Sequence, residues 1–300
     1  MALRISLREL EVFVAIAHHG TVTAASTHIG LTQSAASQAL AALEGGLAAP
    51  LFDRVGRRLL LNGEGQLLLP RARAMLDDAQ DMQQLFAGDA GIHLRLGAST
   101  TIGNYLLPAR LADFHHRHPS AAVELIVANT ADIVEAVSAF SVDAGYIEGP
   151  SHHPELVLTP WRRDDMCVFA AADHPLAGRR ITLDALRQAQ WVLRESGSGT
   201  REEAERLLLP HLGSLDSVME LGDSEAIKQL VAAGMGISCL SRHVVAEWLA
   251  QNILVELHSP LPPLSRILFR IHHKDKAPGR GMTLFAAMDA GDAPVPPAAH

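Results

Sequence analysis

Cysteine, aromatic rings and long apolar runs are all scarce in this chain, and its first ninety residues contain no lysine. Each shortage closes off a class of protein. The two cysteines, Cys167 and Cys239, lie far apart and outside any metal-ligand spacing. That excludes a disulfide-stapled or thiolate-metal scaffold, and both thiols are expected to be reduced and buried in a cytoplasmic protein. No apolar stretch reaches the roughly 20 residues that cross a bilayer. The start, MALRISLREL, is charged early and then amphipathic, unlike a secretion signal. The first ninety residues carry seven arginines against nine acidic residues, and the whole chain has a net charge of −8. A general polyanion binder is therefore excluded, and any affinity for nucleic acid must come from the placement of a few arginines.

Enzyme signatures are missing as well. There is no G-x-S-x-G, because Ser196 stands two residues before Ser198, and neither a phosphate-binding G-x-x-x-x-G-K-[ST] loop nor H-E-x-x-H. The histidines at 115, 116 and 118 fall within one helical turn without an i, i+4 pair, and 152–153 and 272–273 are adjacent pairs, so no metal site or cofactor is expected.

What remains is 300 residues of soluble α/β texture, enough for two or three compact units. The most informative stretch is Thr21 to Arg58. An apolar helical stripe over Leu7–Ile16 ends at His18-His19-Gly20. Thr23 is then placed to cap a second helix, Ala24–Ile29, Gly30-Leu31 makes a turn, and Thr32 caps a third helix, Gln33–Leu43. Ala36, Leu40 and Leu43 share one side of the third helix, with Gln33, Ser34, Ser37 and Gln38 on another. Short uncharged polar side chains approach base edges closely, and Gln pairs bidentately with adenine. Residues 50–62 read as a two-stranded wing turning near Gly56, with Arg54, Arg57 and Arg58 each able to neutralise a phosphate.

A long helical pattern follows over 63–86, with Leu67, Leu68, Ala72, Met75, Leu76, Ala79, Met82 and Leu85 in register and Pro70 inside. Gly88-Asp89-Ala90-Gly91 reads as a hinge. From Ile92 strands alternate with helices, which argues for parallel sheets with crossover helices, and the tail 291–300 is Pro/Ala-rich and expected to be disordered.

Two strand-to-helix turns stand out as ligand sites. Ser99-Thr100-Thr101 offers three hydroxyls, and Ser196-Gly197-Ser198-Gly199-Thr200 adds glycines that let backbone N–H groups approach. Thr200-x-x-Glu203 also reads as a capping box, which satisfies that helix without a ligand. Asn129-Thr130 is a third, weaker turn. Glu148 follows a strand that should end near the same place. A carboxylate there repels a dianion but can accept a hydrogen bond from a monoanion that carries an acidic proton, such as hydrogen sulfite.

The order T-x-A-A, L-T-Q-S-A-x-S-Q, L-E at Leu43-Glu44 and P-L-F-x-R-x-G-R over about sixty residues resembles the winged helix-turn-helix of LysR-type transcriptional regulators. G-A-S-T-T with L-L-P and F-x-x-x-x-P, then S-G-S-G-T-R and L-V-A-A-G-M-G-I-S, resembles the two-lobed type II periplasmic-binding-protein-like domain that the family uses for effectors. The wording GASTTIGNYLLP, YIEGP and ESGSGTRE looks like the CysB, CysL and CbbR-like subgroup.

The resemblance implies a DNA-binding domain at 1–62, a linker and dimerisation helix with hinge at 63–91, and an effector domain at 92–290. Its first lobe is expected at 92–161 plus 266–290 and its second at 162–265. The implied DNA contacts are Thr23, Thr32, Gln33, Ser34, Ser37, Gln38, Arg54, Arg57 and Arg58. The implied effector contacts are Ser99, Thr100, Thr101, Asn129, Glu148, Ser196, Ser198, Gly199 and Thr200. Partners are double-stranded DNA, a small anion such as sulfite or sulfate, and further copies of the chain as a dimer or tetramer. The alternative from a different class is a small-anion solute-binding protein with no transcriptional role, which needs a secretion signal and no winged helix.

Overall fold

A computed structural model of the chain describes residues 4–56, 58–84 and 91–288. Arg57, the expected hinge residues Gly88, Asp89 and Ala90, and the expected tail 291–300 lie outside the described residues. The chain divides into two compact units, Met1–Gly91 and Ile92–His300.

In the first unit, α1 (Leu7–His19) is opened by a capping box between Ser6 and Glu9 and closed by Gly20 in the left-handed conformation. The second helix, α2 (Val22–His28), starts earlier than the sequence suggested. Thr21 caps it, accepting from the Ala24 N–H at 3.2 Å, because Thr21 is the last extended residue. Thr23 is therefore an exposed residue inside the helix, not its cap. The next helix, α3 (Gln33–Leu47), is capped by Thr32 as expected but runs a turn beyond Leu43, through Gly45-Gly46. A Cβ on Gly46 would stand 2.6 Å from the Arg4 carbonyl oxygen, so this glycine permits close approach of the N-terminal segment and does not end the helix.

The helix ends instead at Ala48, which holds φ 55 without being a glycine. Its Cβ is strained there, so Ala48→Gly is expected to stabilise this unit by about 0.5–1 kcal/mol, read as a higher melting temperature. An unchanged or lower melting temperature would show that the left-handed geometry is not held in solution.

The wing is an antiparallel ribbon of β1 (Phe52–Val55) and β2 (Arg58–Leu61), pairing Phe52 with Leu61 and Val55 with Arg58. Two bonds fix it to the helices. Glu44 accepts from the Leu51 N–H at 2.8 Å, and the Leu59 N–H donates to the Gly20 carbonyl at 2.8 Å. Leu10, Phe13, Ile16, Ala36, Leu43 and Phe52 form the shared core. The helix α4 (Gly63–Gln84) continues through Pro70 and leaves Leu67, Met75 and Met82 exposed.

The second unit runs β3 (His93–Ser99), a π-helical turn (Ile102–Leu106), α5 (Leu107–Arg117), β4 (Ala122–Ala128), α6 (Thr130–Ser138), β5 (Ala144–Glu148) and β6 (Leu156–Ala171). It continues as α7 (Leu183–Arg187), β7 (Gln190–Arg194), α8 (Gly199–Leu212), β8 (Asp216–Leu221), α9 (Ser224–Ala232) and β9 (Ser238–Ser241). The last elements are α10 (Arg242–Ala250), β10 (Leu254–Glu256), β11 (Ser265–His273) and α11 (Arg280–Ala287).

One mixed sheet has the order β10-β6-β11-β5-β3-β4, with β9 also on β6, and β7-β8 form a separate parallel pair. The strands β3, β4 and β5 pair in parallel as the alternating pattern predicts, but β6, β9, β10 and β11 pair antiparallel. The lobe boundary expected between 161 and 162 falls inside one 16-residue strand, β6. A register shift opposite Leu268/Phe269 absorbs the irregularity at Pro160 and Trp161. The helix α10 was not anticipated either, and Ser241 caps it through the His243 N–H at 3.2 Å.

Through its length β6 joins two packing regions. Trp161 lies in a core with Tyr146, Leu268 and Phe285, whereas Met166, Val168 and Ala170 lie in another with Trp191, Leu193 and Leu208. The ends of β3, β5, β7 and β11 meet between these regions.

Candidate nucleic-acid interface and ligand cleft

In the first unit, the start of α2, the start of α3 and the wing enclose a groove of about 520 Å³. Thr23, Gln33, Ser37, Arg54 and Arg58 line it together with Thr21 and Gly56. Five of the nine candidate DNA contacts thus share one concave surface. Ser34 and Gln38 are exposed on the same helix, and Thr32 spends its hydroxyl on the cap. The eight of these that lie among the described residues come from α2, α3 with its cap, and the wing, and the Glu44 and Leu59 bonds hold the wing against the helices.

In the second unit, a polar network crosses between the two packing regions. Arg266, on β11, is its centre. Its side chain is fully buried, Nε donating to Asp164 Oδ2 at 2.8 Å, Nη1 to Thr200 Oγ1 at 3.0 Å and Nη2 to Thr101 Oγ1 at 3.4 Å. Ser241 completes the Asp164 carboxylate at 2.7 Å. The two threonine hydroxyls stand 3.4 Å apart, one from each side of the cleft. Beside them, Glu148 accepts from the Thr101 N–H at 3.2 Å and from the Thr130 hydroxyl at 3.1 Å. Arg194, also buried, donates to Ser224 at 3.1 Å and Thr100 at 3.4 Å while pairing with Glu195 at 2.7 Å.

The turns that hold these groups come close because glycine allows it. A Cβ on Gly199 would lie 2.3 Å from the Glu148 carbonyl oxygen and 2.6 Å from Thr130 Oγ1. Gly197 accepts from the Ala131 N–H at 3.1 Å, tying the start of α6 to the turn before α8. The π-helical turn after Thr101 widens the helix where it meets the cleft, a deviation common at functional sites.

The expected cleft residues are therefore brought together with two exceptions. Ser196 is exposed, and Asn129 caps α6 through the Asp132 N–H at 2.9 Å. Ser99 and Ser198 are buried, and Ser99 Oγ has no hydrogen-bond partner among the described residues. The capping box at Thr200 and Glu203 is not formed. Ser198 is the N-cap without a side-chain cap bond, Thr200 lies inside α8 and turns its hydroxyl to Arg266, and Glu203 takes Arg206 at 2.7 Å. Arg266, one of two arginines in the otherwise apolar run Ser265–Ile271, and Arg194 at the end of β7 are not among the residues the sequence singled out. The signal for both was a charged residue within a hydrophobic strand.

A winged helix-turn-helix followed by a two-lobed α/β unit with a polar interlobe cleft defines a DNA-binding regulator with an effector domain. Residues 7–66 match the family model described as a bacterial regulatory helix-turn-helix protein, lysR family, and residues 87–288 match the LysR substrate binding domain. The chain belongs to the LysR family of transcriptional regulators. It is 50% identical over 274 residues to the uncharacterized HTH-type transcriptional regulator YeiE of Escherichia coli strain K12, covering 91% of this chain and 93% of that protein. It is 32% identical over 267 residues to the HTH-type transcriptional regulator CysL of Bacillus subtilis, covering 88% and 89%. The regulatory domain of CcmR from Synechocystis PCC6803 in complex with 2-PG superposes with a TM-score of 0.62 at 31% identity, covering 67% of this chain and 96% of that one.

Proposed function

We propose that this regulator binds its operator through the groove of the first unit and that a small oxyanion, sulfite or sulfate being the first candidates, modulates that binding from the cleft of the second. The observation that carries the effector reading is the Arg266 guanidinium donating to hydroxyls from both sides of the cleft. A tetrahedral or pyramidal oxyanion offers several acceptors at the spacing of such donors and draws both lobes onto itself. Ser99, Thr100, Thr101, Ser198 and Thr200 supply further donors. Glu148 sets the preference, favouring a monoanion that can share its own proton over a dianion. The CcmR regulatory domain, solved in complex with 2-PG, supports a small-molecule effector in this domain. The solute-binding alternative leaves residues 7–66 without a role.

Calorimetric titration of the full chain with sulfite, sulfate and thiosulfate tests the reading. Sulfite is expected to bind saturably, and Thr200→Val to weaken it by about ten-fold through loss of one charge-linked hydroxyl. Absence of heat with all three anions removes the oxyanion proposal.

On the DNA, Thr32, Gln33, Ser34, Ser37 and Gln38 contact bases or nearby phosphates, Arg54, Arg57 and Arg58 hold the backbone or minor groove, and Thr23 lines the same groove. Gln33→Ala is expected to flatten preference at one base pair by about 1–3 kcal/mol while affinity for random duplex is unchanged. An unchanged preference in a selection experiment places Gln33 off the bases. Exposed Leu67, Met75 and Met82 along α4 supply an apolar face for pairing two copies. Paired copies present their third helices to successive major grooves.

A further inference from the structure

The root of the wing is held by a short chain of hydrogen bonds that joins α3 to α4. Pro50 and Leu51 share one peptide unit, and both of its polar groups are taken by side chains. The Leu51 N–H donates to Glu44 Oε1 at 2.8 Å, and the Pro50 carbonyl accepts from Asn62 Nδ2 at 2.9 Å. Asn62 Oδ1 in turn accepts from the Gly65 N–H at 2.9 Å, which caps α4. The bonds run in one direction: Gly65 donates to Asn62, Asn62 to the 50–51 peptide, and that peptide to Glu44. Each link polarises the next, from the positive end of a helix dipole to a carboxylate.

Backbone contacts tighten the same joint. The Asn62 N–H donates to the Leu51 carbonyl at 3.1 Å. A Cβ on Gly65 would lie 2.1 Å from that carbonyl oxygen, so α4 comes this close to the wing root with glycine as its third residue. The joint sits at the base of the ribbon, where Phe52 pairs with Leu61. Arg54 and Arg58 lie further out, one on each strand, and line the groove. Four residues of strand carry the tip about 13 Å from the base, where a tilt of about 10° displaces it by about 2 Å. A small change at the joint therefore moves the arginines by more than a hydrogen bond tolerates.

We propose that Asn62 is a positioning residue for DNA binding, a role that rests on Arg54 and Arg58 contacting the DNA backbone. Its amide oxygen starts α4, and its amide nitrogen holds the wing to that start, so the wing takes its direction from α4. The two tasks are separable. A hydroxyl side chain replaces the oxygen as a cap and supplies no amide nitrogen for Pro50.

The full chain carrying Asn62→Ser or Asn62→Thr isolates the second task, since either hydroxyl still caps α4. Both variants are expected to keep the parent's melting transition. The Leu51 amide hydrogen should exchange about five-fold faster, the effect of one neutral hydrogen bond. Fluorescence anisotropy should show a selected operator and a random duplex weakened alike, by about five-fold, because backbone contacts carry no sequence information. In a chain that already carries Arg54→Ala and Arg58→Ala, Asn62→Ser should bring no further loss. The same five-fold loss in that background would mean that Asn62 acts on the fold at large, and it overturns the proposal. Unchanged Leu51 exchange overturns it too, as does parental affinity in Asn62→Ser where removal of the two arginines weakens binding. If removing the arginines leaves affinity unchanged, the reading of the wing fails and the positioning role falls with it.

Discussion

Arg266→Met is expected to destabilise the second unit by about 3–5 kcal/mol, because it leaves the Asp164 carboxylate buried with only Ser241 to answer it. Against a total stability of roughly 5–15 kcal/mol for a domain, that is a large fraction. The melting transition of this unit should fall by about 10 °C or more. The cost is the unpaired charge and not the lost attraction, so the double variant Arg266→Met with Asp164→Asn should recover most of it. Asn keeps an acceptor for the Ser241 hydroxyl and brings no charge. The recovered variant should still fail to respond to effector, because the hydroxyls of Thr101 and Thr200 have lost the donor that links them. A double-mutant cycle with additive losses would show that Arg266 and Asp164 are not coupled as the geometry requires.

The second large effect lies in the wing. Replacing Arg54 and Arg58 together by alanine should weaken operator binding by at least about a hundred-fold, taking the loss of two hydrogen bonds to charged phosphates. It should also reduce the slope of log affinity against log salt by about 1.8 for each bound chain. The same loss should appear on random duplex, since backbone contacts carry no sequence information. The effect is large because the third helix has no arginine or lysine between Gln33 and Leu47, and the first ninety residues have seven arginines in all. Comparable salt slopes for the double variant and the parent chain would mean that the wing does not face phosphate.

The same features show what could be read in advance. The helix-turn-helix was legible because its information is local: Thr32 and the wing turn each act within a few residues of themselves. Where local signals competed, the expectation slipped. Thr21 and Thr23 are both competent caps, and the choice between them depends on which residue is last extended. The third helix was expected to end at Leu43, yet it runs on through Gly46, which admits the Arg4 carbonyl, a contact between residues far apart in sequence.

The cleft shows the same division. The hydroxyls at 99–101 and 198–200 sit at strand-to-helix turns, which sequence reveals. Asp164 and Arg266 meet across 102 residues of chain, and Thr101 and Arg266 across 165, on strands whose pairing is set by the whole sheet. No local pattern announces such a meeting. The length of β6 escaped for a related reason: Pro160 reads as a stop locally, and only the register shift against β11 makes it tolerable.

The most direct test joins the two units. An operator duplex is first selected from random sequence with the full chain. Its dissociation constant is then measured by fluorescence anisotropy at fixed salt, with and without saturating sulfite, for the parent chain and for Thr200→Val. A coupling of at least about five-fold in the parent, absent from Thr200→Val, is the predicted result. Equal affinity with and without sulfite, sulfate or thiosulfate in the parent chain would contradict control of DNA binding by an oxyanion in the cleft.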